Sequence, residues 1–140
     1  MSRRHNQYRS RITREHGSTG QDLNDKNHVK QILDDLGYSR IAFDYFLGIT
    51  ADDRYEIHAS MTESEARQYR RIRHPDVICV DPNGLPLIVE IDGAYHRDYD
   101  HDADYDAIGI NYIKINKEYL EREGIPWDAW IRDAAEMMRV

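Results

Sequence analysis

Acidic residues stand at matching positions on two apolar stretches that are predicted to pair as a β-hairpin. Asp76 opens the first stretch, and Glu90 and Asp92 end the second. Between them, Asp81-Pro-Asn-Gly-Leu85 carries turn chemistry, with proline at the first central position of a type I turn and glycine at the left-handed position after it. This three-residue loop pairs Asp81 with Leu85, and counting outward places Asp76 opposite Glu90.

Such a register brings three carboxylates to one end of the hairpin. Cross-strand partners lie about 5 Å apart at Cβ, and Asp92 shares a face with Glu90 because side chains alternate along a strand. The three charges repel unless a proton is shared or a cation lies between them. Mg²⁺ or Mn²⁺, which favour oxygen ligands, would remove the repulsion. In the alternative, a slip of one residue sends Asp76 and Glu90 to opposite faces, and the acids point into solvent.

These residues resemble a nuclease motif. His74-Pro-Asp76 followed by Glu90-Ile-Asp92 resembles the core of the PD-(D/E)XK nucleases, and the run from Ile88 to His96 resembles the very-short-patch-repair endonuclease-like branch. The resemblance covers residues 72–116. It continues downstream through Asp98, His101, Asp102, Tyr105, Gly109 and a strand ending at Lys114. It implies a restriction-endonuclease-like core in which the hairpin acids bind the catalytic metal.

The chain departs from the general motif in three places. Asp92 stands where the motif has lysine, a change that the short-patch-repair-like branch shares. His101 occupies a position where arginine is common. The first helix has Asn27-His-Val29 near the place of an expected glutamate, so an acid that would help to bind a second metal is missing.

The expected activity is that of a metal-dependent DNA endonuclease, in which metal-activated water hydrolyses a phosphodiester bond. Its site comprises Asp76, Glu90, Asp92 and the Ile91 carbonyl as metal ligands, with His96 and Lys114 as further catalytic residues. The resemblance gives His96 part of the proton transfer, a role that suits imidazole near neutral pH. Asp92 would orient His96 or bind the metal directly, and Lys114 would stabilise charge on the phosphate.

The elements that position these residues follow from periodicity and from helix and turn signals. Helices are expected over 22–36, from Thr62 to about Arg73, over 98–108, and in a closing segment that contains Trp127 and Trp130. Strands are expected over 41–47, 54–58, 76–80, 87–91 and 110–115. The fold class is therefore α/β: one restriction-endonuclease-like domain, residues 22–140, with a central mixed sheet of four or five strands flanked by helices.

Arginines are concentrated in two segments. Residues 1–20 hold five arginines against Glu15, and residues 1–21 are predicted to form a flexible basic arm. Four more, expected on one helix, are candidates for nucleic-acid binding, although a charged helix face is commonly only solvated: Arg67, Arg70, Arg71 and Arg73. DNA is the predicted partner, and a homodimer is a further expectation because nucleases of this class often act on two strands.

The overall composition bounds these interpretations. The 140 residues carry a net charge of −7, which by itself argues against DNA binding. The position of the acidic residues changes this interpretation. Residues 90–106 hold seven carboxylates and only Arg97, so much of the excess surrounds the predicted metal site. There is no apolar stretch of about 20 residues for a membrane span and no apolar signal-peptide core. A single cysteine, Cys79, favours a reducing, cytoplasmic setting.

Two other functions compete with cleavage. A nuclease-like fold that binds nucleic acid or a protein without cutting is favoured by the missing lysine and the missing helix glutamate. An assembly protein whose acidic segment 90–106 docks a basic partner is the third possibility.

Overall fold

The computed structural model describes residues 20–92 and 101–138, which form two β-sheets and the helices around them. The helices are α1 (Gly20–Asp35), α2 (Glu63–Ala66), α3 (His101–Ile108), α4 (Lys117–Glu123) and α5 (Trp127–Met138). The strands are β1 (Ser39–Phe43), β2 (Phe46–Ile49), β3 (Tyr55–His58), β4 (Arg71–Arg73), β5 (Val77–Val80), β6 (Pro86–Asp92) and β7 (Asn111–Asn116). No helix among the described residues is long and apolar enough to cross a bilayer.

The larger sheet has four strands in the order β1-β5-β6-β7 and is mixed, as predicted. β1, β5 and β6 are joined by antiparallel pairings, and β6 runs parallel to β7. In the hairpin, Ile78 pairs with Ile88, which confirms the predicted register. The loop closes through a 2.7 Å hydrogen bond from the Asp81 amide to the Leu85 carbonyl, and Gly84 takes the left-handed conformation with φ of +86°.

A second sheet of three antiparallel strands, in the order β3-β2-β4, was not predicted. The single strand expected over 41–47 is wrong, because the chain changes direction at Asp44 and sends β1 and β2 into different sheets. Asp44 has a φ of 59°, a left-handed conformation that Asp tolerates better than most residues. Gly48 lies inside β2.

The helix expected from Thr62 to about Arg73 is also wrong beyond its first turn. The predicted capping box forms between Thr62 and Glu65, but α2 ends at Ala66. The later residues pair with β2 instead, with Ile72 opposite Gly48 and Arg73 opposite Leu47. The alternation of a partly buried isoleucine between two arginines fits a strand period of two, and pairing with β2 outweighs the local helix signal.

Apolar side chains cover both faces of the four-stranded sheet. One face packs against α1, α4 and α5 through a cluster that includes Val29, Leu33, Leu120, Ile131 and Ala135. The opposite face packs against the three-stranded sheet and α3 through Leu47, Ile49, Ile78, Ile88, Tyr105 and Ile110. The hairpin acids lie on this second face because Asp76 and Glu90 are each two residues from Ile78 and Ile88, and residues two apart on a strand share a face.

The helices differ from the predictions mainly at their ends. α1 begins at Gly20, so residues 20 and 21 of the predicted arm are helical, and residues 1–19 lie outside the described part of the chain. Leu23, in the first turns of α1, is exposed. The closing helix is confirmed as α5. α4 was not predicted; the Asn116 side chain caps its start and Gly124, with φ of 65°, ends it.

Candidate functional site

The hairpin brings two buried carboxylates to one end of the four-stranded sheet. Asp76 directly precedes β5, Glu90 lies on β6, and the two residues are only 6% and 8% exposed. The pairing of Val77 with Val89 places Asp76 opposite Glu90 one step further along. Asp76 is held there because its Oδ2 accepts a 2.7 Å hydrogen bond from the backbone amide of Ile91. We call Asp76 and Glu90 the acid pair.

The protonation of Glu90 reflects this placement. Burial raises the pKa of Glu90 to about 8, and the neighbouring charge of Asp76 and the weaker effect of Asp92 act in the same direction. A hydrogen bond from Tyr105 opposes the shift by stabilising the ionised form. Near neutral pH, the acid pair therefore keeps a proton unless a cation replaces it.

Tyr105, on α3, completes the surroundings of Glu90. Its side chain is fully buried, and its Oη donates a 2.5 Å hydrogen bond to Oε1 of Glu90. Burial and the charge of Glu90 raise the pKa of Tyr105, so the phenol remains a donor. Tyr105 belongs to the run that resembles the nuclease family, but its position in the sequence predicts no role. The feature of the sequence that could have indicated a role for Tyr105 is its position as an aromatic residue inside an otherwise acidic helix.

The helix that carries Tyr105 is bound to both sheets by charge. Asp104, buried beside it in sequence, accepts a 2.6 Å hydrogen bond from Nε of Arg73 on β4. Two residues earlier, Asp102 Oδ1 lies 3.1 Å from Nζ of Lys114 on β7. Lys114 is the register partner of Glu90, and its ion pair is with Asp102; its catalytic role stays a prediction.

A lysine that the sequence did not single out is linked to the acid pair through Asp44. Lys26 on α1 is 1% exposed, and its Nζ is 2.7 Å from both Asp22 Oδ2 and Asp44 Oδ1. Burial lowers the pKa of Lys26, but the hydrogen bonds and charges of the two aspartates raise it by more, so the ammonium is retained. The Asp44 amide in turn donates to the Asp76 carbonyl at 3.3 Å.

At the opposite edge of the larger sheet, Lys117 follows β7 and places its Nζ 2.6 Å from Oδ2 of Asp25 on α1. β1 and β7 are the outer strands of the larger sheet. Ion pairs of Lys26 and Asp25 thus tie α1 to the ends of both outer strands, on either side of the strands that carry the acid pair.

Only part of the predicted metal site can be placed. Asp92 is half-buried, two residues beyond Glu90 on the same strand, and its ligand role stays a prediction, as does that of the Ile91 carbonyl. His96 lies in residues 93–100, outside the described chain, and the side chain of His101 is likewise not described. Within residues 20–92 and 101–138, no group of three or more His, Cys, Asp or Glu side chains is arranged to hold a metal ion.

The acid pair nevertheless has the chemistry of a divalent-cation site. Mg²⁺ is commonly bound through one or two carboxylates, with water and substrate phosphate supplying the remaining oxygens. Asp76 and Glu90 provide two buried carboxylates; burial first, and then their mutual repulsion, raises the pKa of Glu90, and a cation would remove that repulsion. A two-carboxylate Mg²⁺ or Mn²⁺ site therefore fits these residues.

The four candidate nucleic-acid-binding arginines differ in their surroundings. Arg67 pairs with Glu63 on α2. Arg70 Nη2 is 2.6 Å from Asp53 Oδ1, whereas Arg71 approaches Asp104 only to 3.8 Å. Arg67 is the C-cap residue of α2, Arg70 lies in a bend, and Arg71 and Arg73 lie on β4, so the four do not share one helix face. Their role with nucleic acid stays a prediction.

Comparison of the chain with protein-family models, with curated proteins and with solved structures found no match.

Proposed function

We propose that the protein is a metal-dependent DNA endonuclease with a restriction-endonuclease-like core of the PD-(D/E)XK type. The observation that carries the proposal is the acid pair: two buried carboxylates on adjacent strands, one of which has a pKa raised to about 8. The sequence resemblance supports it, because the acids, the following helix and the parallel strand occur in the order that the resemblance implies.

In this function Asp76 and Glu90 would hold one Mg²⁺ or Mn²⁺. Such an ion, when bound, polarises the phosphate and lowers the pKa of a water molecule. The chain's own contribution is to fix the two carboxylates, Asp76 through the Ile91 amide and Glu90 through the Tyr105 hydroxyl. Fixed carboxylates lose little freedom on binding, which favours a defined position for the nucleophile.

Proton transfer and charge stabilisation would come from residues around the pair. His96 would accept a proton from the attacking water or donate one to the departing oxygen, with Asp92 orienting it. Lys114, the register partner of Glu90, would stabilise charge on the phosphate. Its ammonium would then interact with both the phosphate and Asp102.

The test is nicking of supercoiled plasmid DNA in Mg²⁺ or Mn²⁺. The wild-type chain is expected to nick, and Asp76→Ala to abolish nicking. Asp34→Asn, on the exposed side of α1, is the matched control because it removes a carboxylate from a solvent-exposed pair with Lys30. Equal nicking by wild type and Asp76→Ala would reject the proposal. Calorimetric titration of Mn²⁺ into wild type and Glu90→Ala tests the cation site separately.

A non-cleaving nucleic-acid-binding module is the second candidate. It is favoured by the absence, among the described residues, of a third side chain completing the acid pair as a metal-binding group. It predicts DNA binding without nicking in either metal. It also predicts that calorimetric titration with Mn²⁺ gives the same result for wild type and Glu90→Ala.

A further inference from the structure

Two arginines of the edge strand β4 point toward α3. Arg71 pairs with Ile49 and Arg73 with Leu47, and both of these β2 residues belong to the apolar cluster around Tyr105. Residues that pair across antiparallel strands share a face, so Arg71 and Arg73 lie on the α3 side of the sheet. β4 is an outer strand of the order β3-β2-β4, so among the described residues only one of its edges pairs with another strand.

One buried carboxylate serves three guanidinium groups there. Asp104 binds Arg73 closely, at 2.6 Å, while Nη1 of Arg70 and Nε of Arg71 both remain 3.8 Å from its oxygens. A separation of 3.8 Å is too long for a hydrogen bond, so the N–H donors of Arg71 can serve a further acceptor. The side chain of Arg71 is 53% exposed, against 18% for Arg73.

The cluster keeps a positive charge in a chain whose net charge is −7. Its three arginines are opposed by Asp104 and by Asp53, which pairs with Arg70 at 2.6 Å. One positive charge therefore remains, and it is centred on the most exposed member, Arg71. A planar guanidinium with unused donors is suited to a phosphate oxygen.

This cluster adjoins the acid pair. Arg73 binds Asp104, and the next residue on α3, Tyr105, donates the hydrogen bond to Glu90. A nucleic-acid strand with one phosphate at the acid pair would thus pass the arginine cluster on the α3 side.

We propose that Arg71, assisted by Arg70, binds a backbone phosphate of DNA that flanks the phosphate held at the acid pair. Arg73 is instead a positioning residue, which fixes Asp104 and with it α3. The assignment rests on the proposed function for its substrate, but it concerns binding and not cleavage.

The experiment is binding of the full chain to a fluorescein-labelled DNA duplex of about 20 base pairs in EDTA, measured by anisotropy over a range of NaCl concentrations. Arg71→Ala is expected to raise Kd about fivefold or more and to reduce the slope of log K against log salt by about one. Arg71→Lys should keep the slope, because it keeps the charge. Arg122→Ala is the matched control, since Arg122 is a comparably exposed arginine on α4, across the sheet from α3.

Circular dichroism melting establishes that each variant is folded. A folded Arg71→Ala chain that matches Arg122→Ala in Kd and salt slope would overturn the assignment and leave the nuclease proposal standing. Wild type that binds the duplex with the Arg71-dependent slope but never nicks plasmid supports the assignment and rejects cleavage. Wild type that does not bind the duplex at low salt overturns the assignment.

Discussion

Tyr105 and Glu90 are joined by a 2.5 Å hydrogen bond from the phenol to Oε1 of the carboxylate, although they come from a helix and a strand. The bond brings α3 into the acid pair, and it favours the ionised form of Glu90 against burial and the charge of Asp76. The ionisation of Glu90 therefore depends on a residue outside the hairpin that carries the acid pair.

Removal of the Tyr105 hydroxyl is expected to raise the pKa of Glu90 further above about 8, because the lost hydrogen bond stabilises the carboxylate. The measurement is a carboxyl ¹³C NMR titration of Tyr105→Phe in EDTA. Tyr112→Phe is the control, since its ring packs 5.5 Å from that of Tyr105 on the same side of the sheet. An unchanged or lowered pKa in Tyr105→Phe would show that the hydrogen bond does not act on Glu90.

Glu90 should make the metal-free protein less stable as pH rises. Its pKa is about 8 in the folded chain against 4.5 ordinarily, so between these values the folded state binds more protons than the unfolded state. The stabilisation is thus complete below about pH 4.5 and is lost as pH rises through about 8.

Glu90→Gln removes this dependence. In EDTA, its melting temperature is expected to exceed that of wild type by about 5 °C or more near pH 9, with little difference near pH 4. Glu121→Gln, on the exposed side of α4, controls for loss of one carboxylate. A Glu90→Gln melting curve that tracks wild type across the whole pH range would contradict the assignment of the raised pKa.

The hairpin could be predicted in detail because its determinants are local. Turn residues 81–85 set the loop, and the loop sets the register that places Asp76 opposite Glu90. The contacts that complete the site are not local. Tyr105 lies 15 positions from Glu90, and Lys26 lies 18 positions from Asp44, so neither partner can be read from spacing.

The two wrong element assignments have a similar origin. Residues 41–47 are rich in strand-forming residues apart from Asp44, and tertiary packing on both sides of Asp44 decides that the strand divides there. After the capping box at Thr62, nothing in the sequence marks the end of a helix, and the pairing of Ile72 with Gly48 decides it. Tertiary context overrides propensity at both places.

Lys26 is expected to be a major contributor to stability. Lys26→Met leaves Asp22 and Asp44 facing each other without their shared cation, which should cost about 2–4 kcal/mol of unfolding free energy. Urea denaturation measures the change. Lys30→Met, on the same helix, removes only an exposed pair with Asp34 and should cost about 0.5 kcal/mol or less. If the two variants lose equal unfolding free energy, the buried ion pairs of Lys26 do not provide the expected stabilisation.

Gly48 is predicted to tolerate no side chain. A Cβ at this position would lie 2.7 Å from ring atoms of Tyr69, whose hydroxyl is fixed by a 2.7 Å bond to Glu56. Gly48→Ala should therefore lower the unfolding free energy by about 1–3 kcal/mol. Since the clash is with the ring, the cost of Gly48→Ala should fall in a Tyr69→Ala background. If the losses of unfolding free energy from Gly48→Ala and Tyr69→Ala simply add in the double variant, the clash is not with the Tyr69 ring.

The attachment of α3 also sets an order of assembly. A nascent chain that has reached Asp92 contains both acids and the whole hairpin, but it lacks the phenol of Tyr105, the carboxylate of Asp104 and the parallel strand β7. Parallel pairing of β6 with β7 requires closure of the intervening chain, a step whose entropic cost comes before its contacts form. The acid pair thus acquires its final surroundings only when α3 and β7 have joined the hairpin.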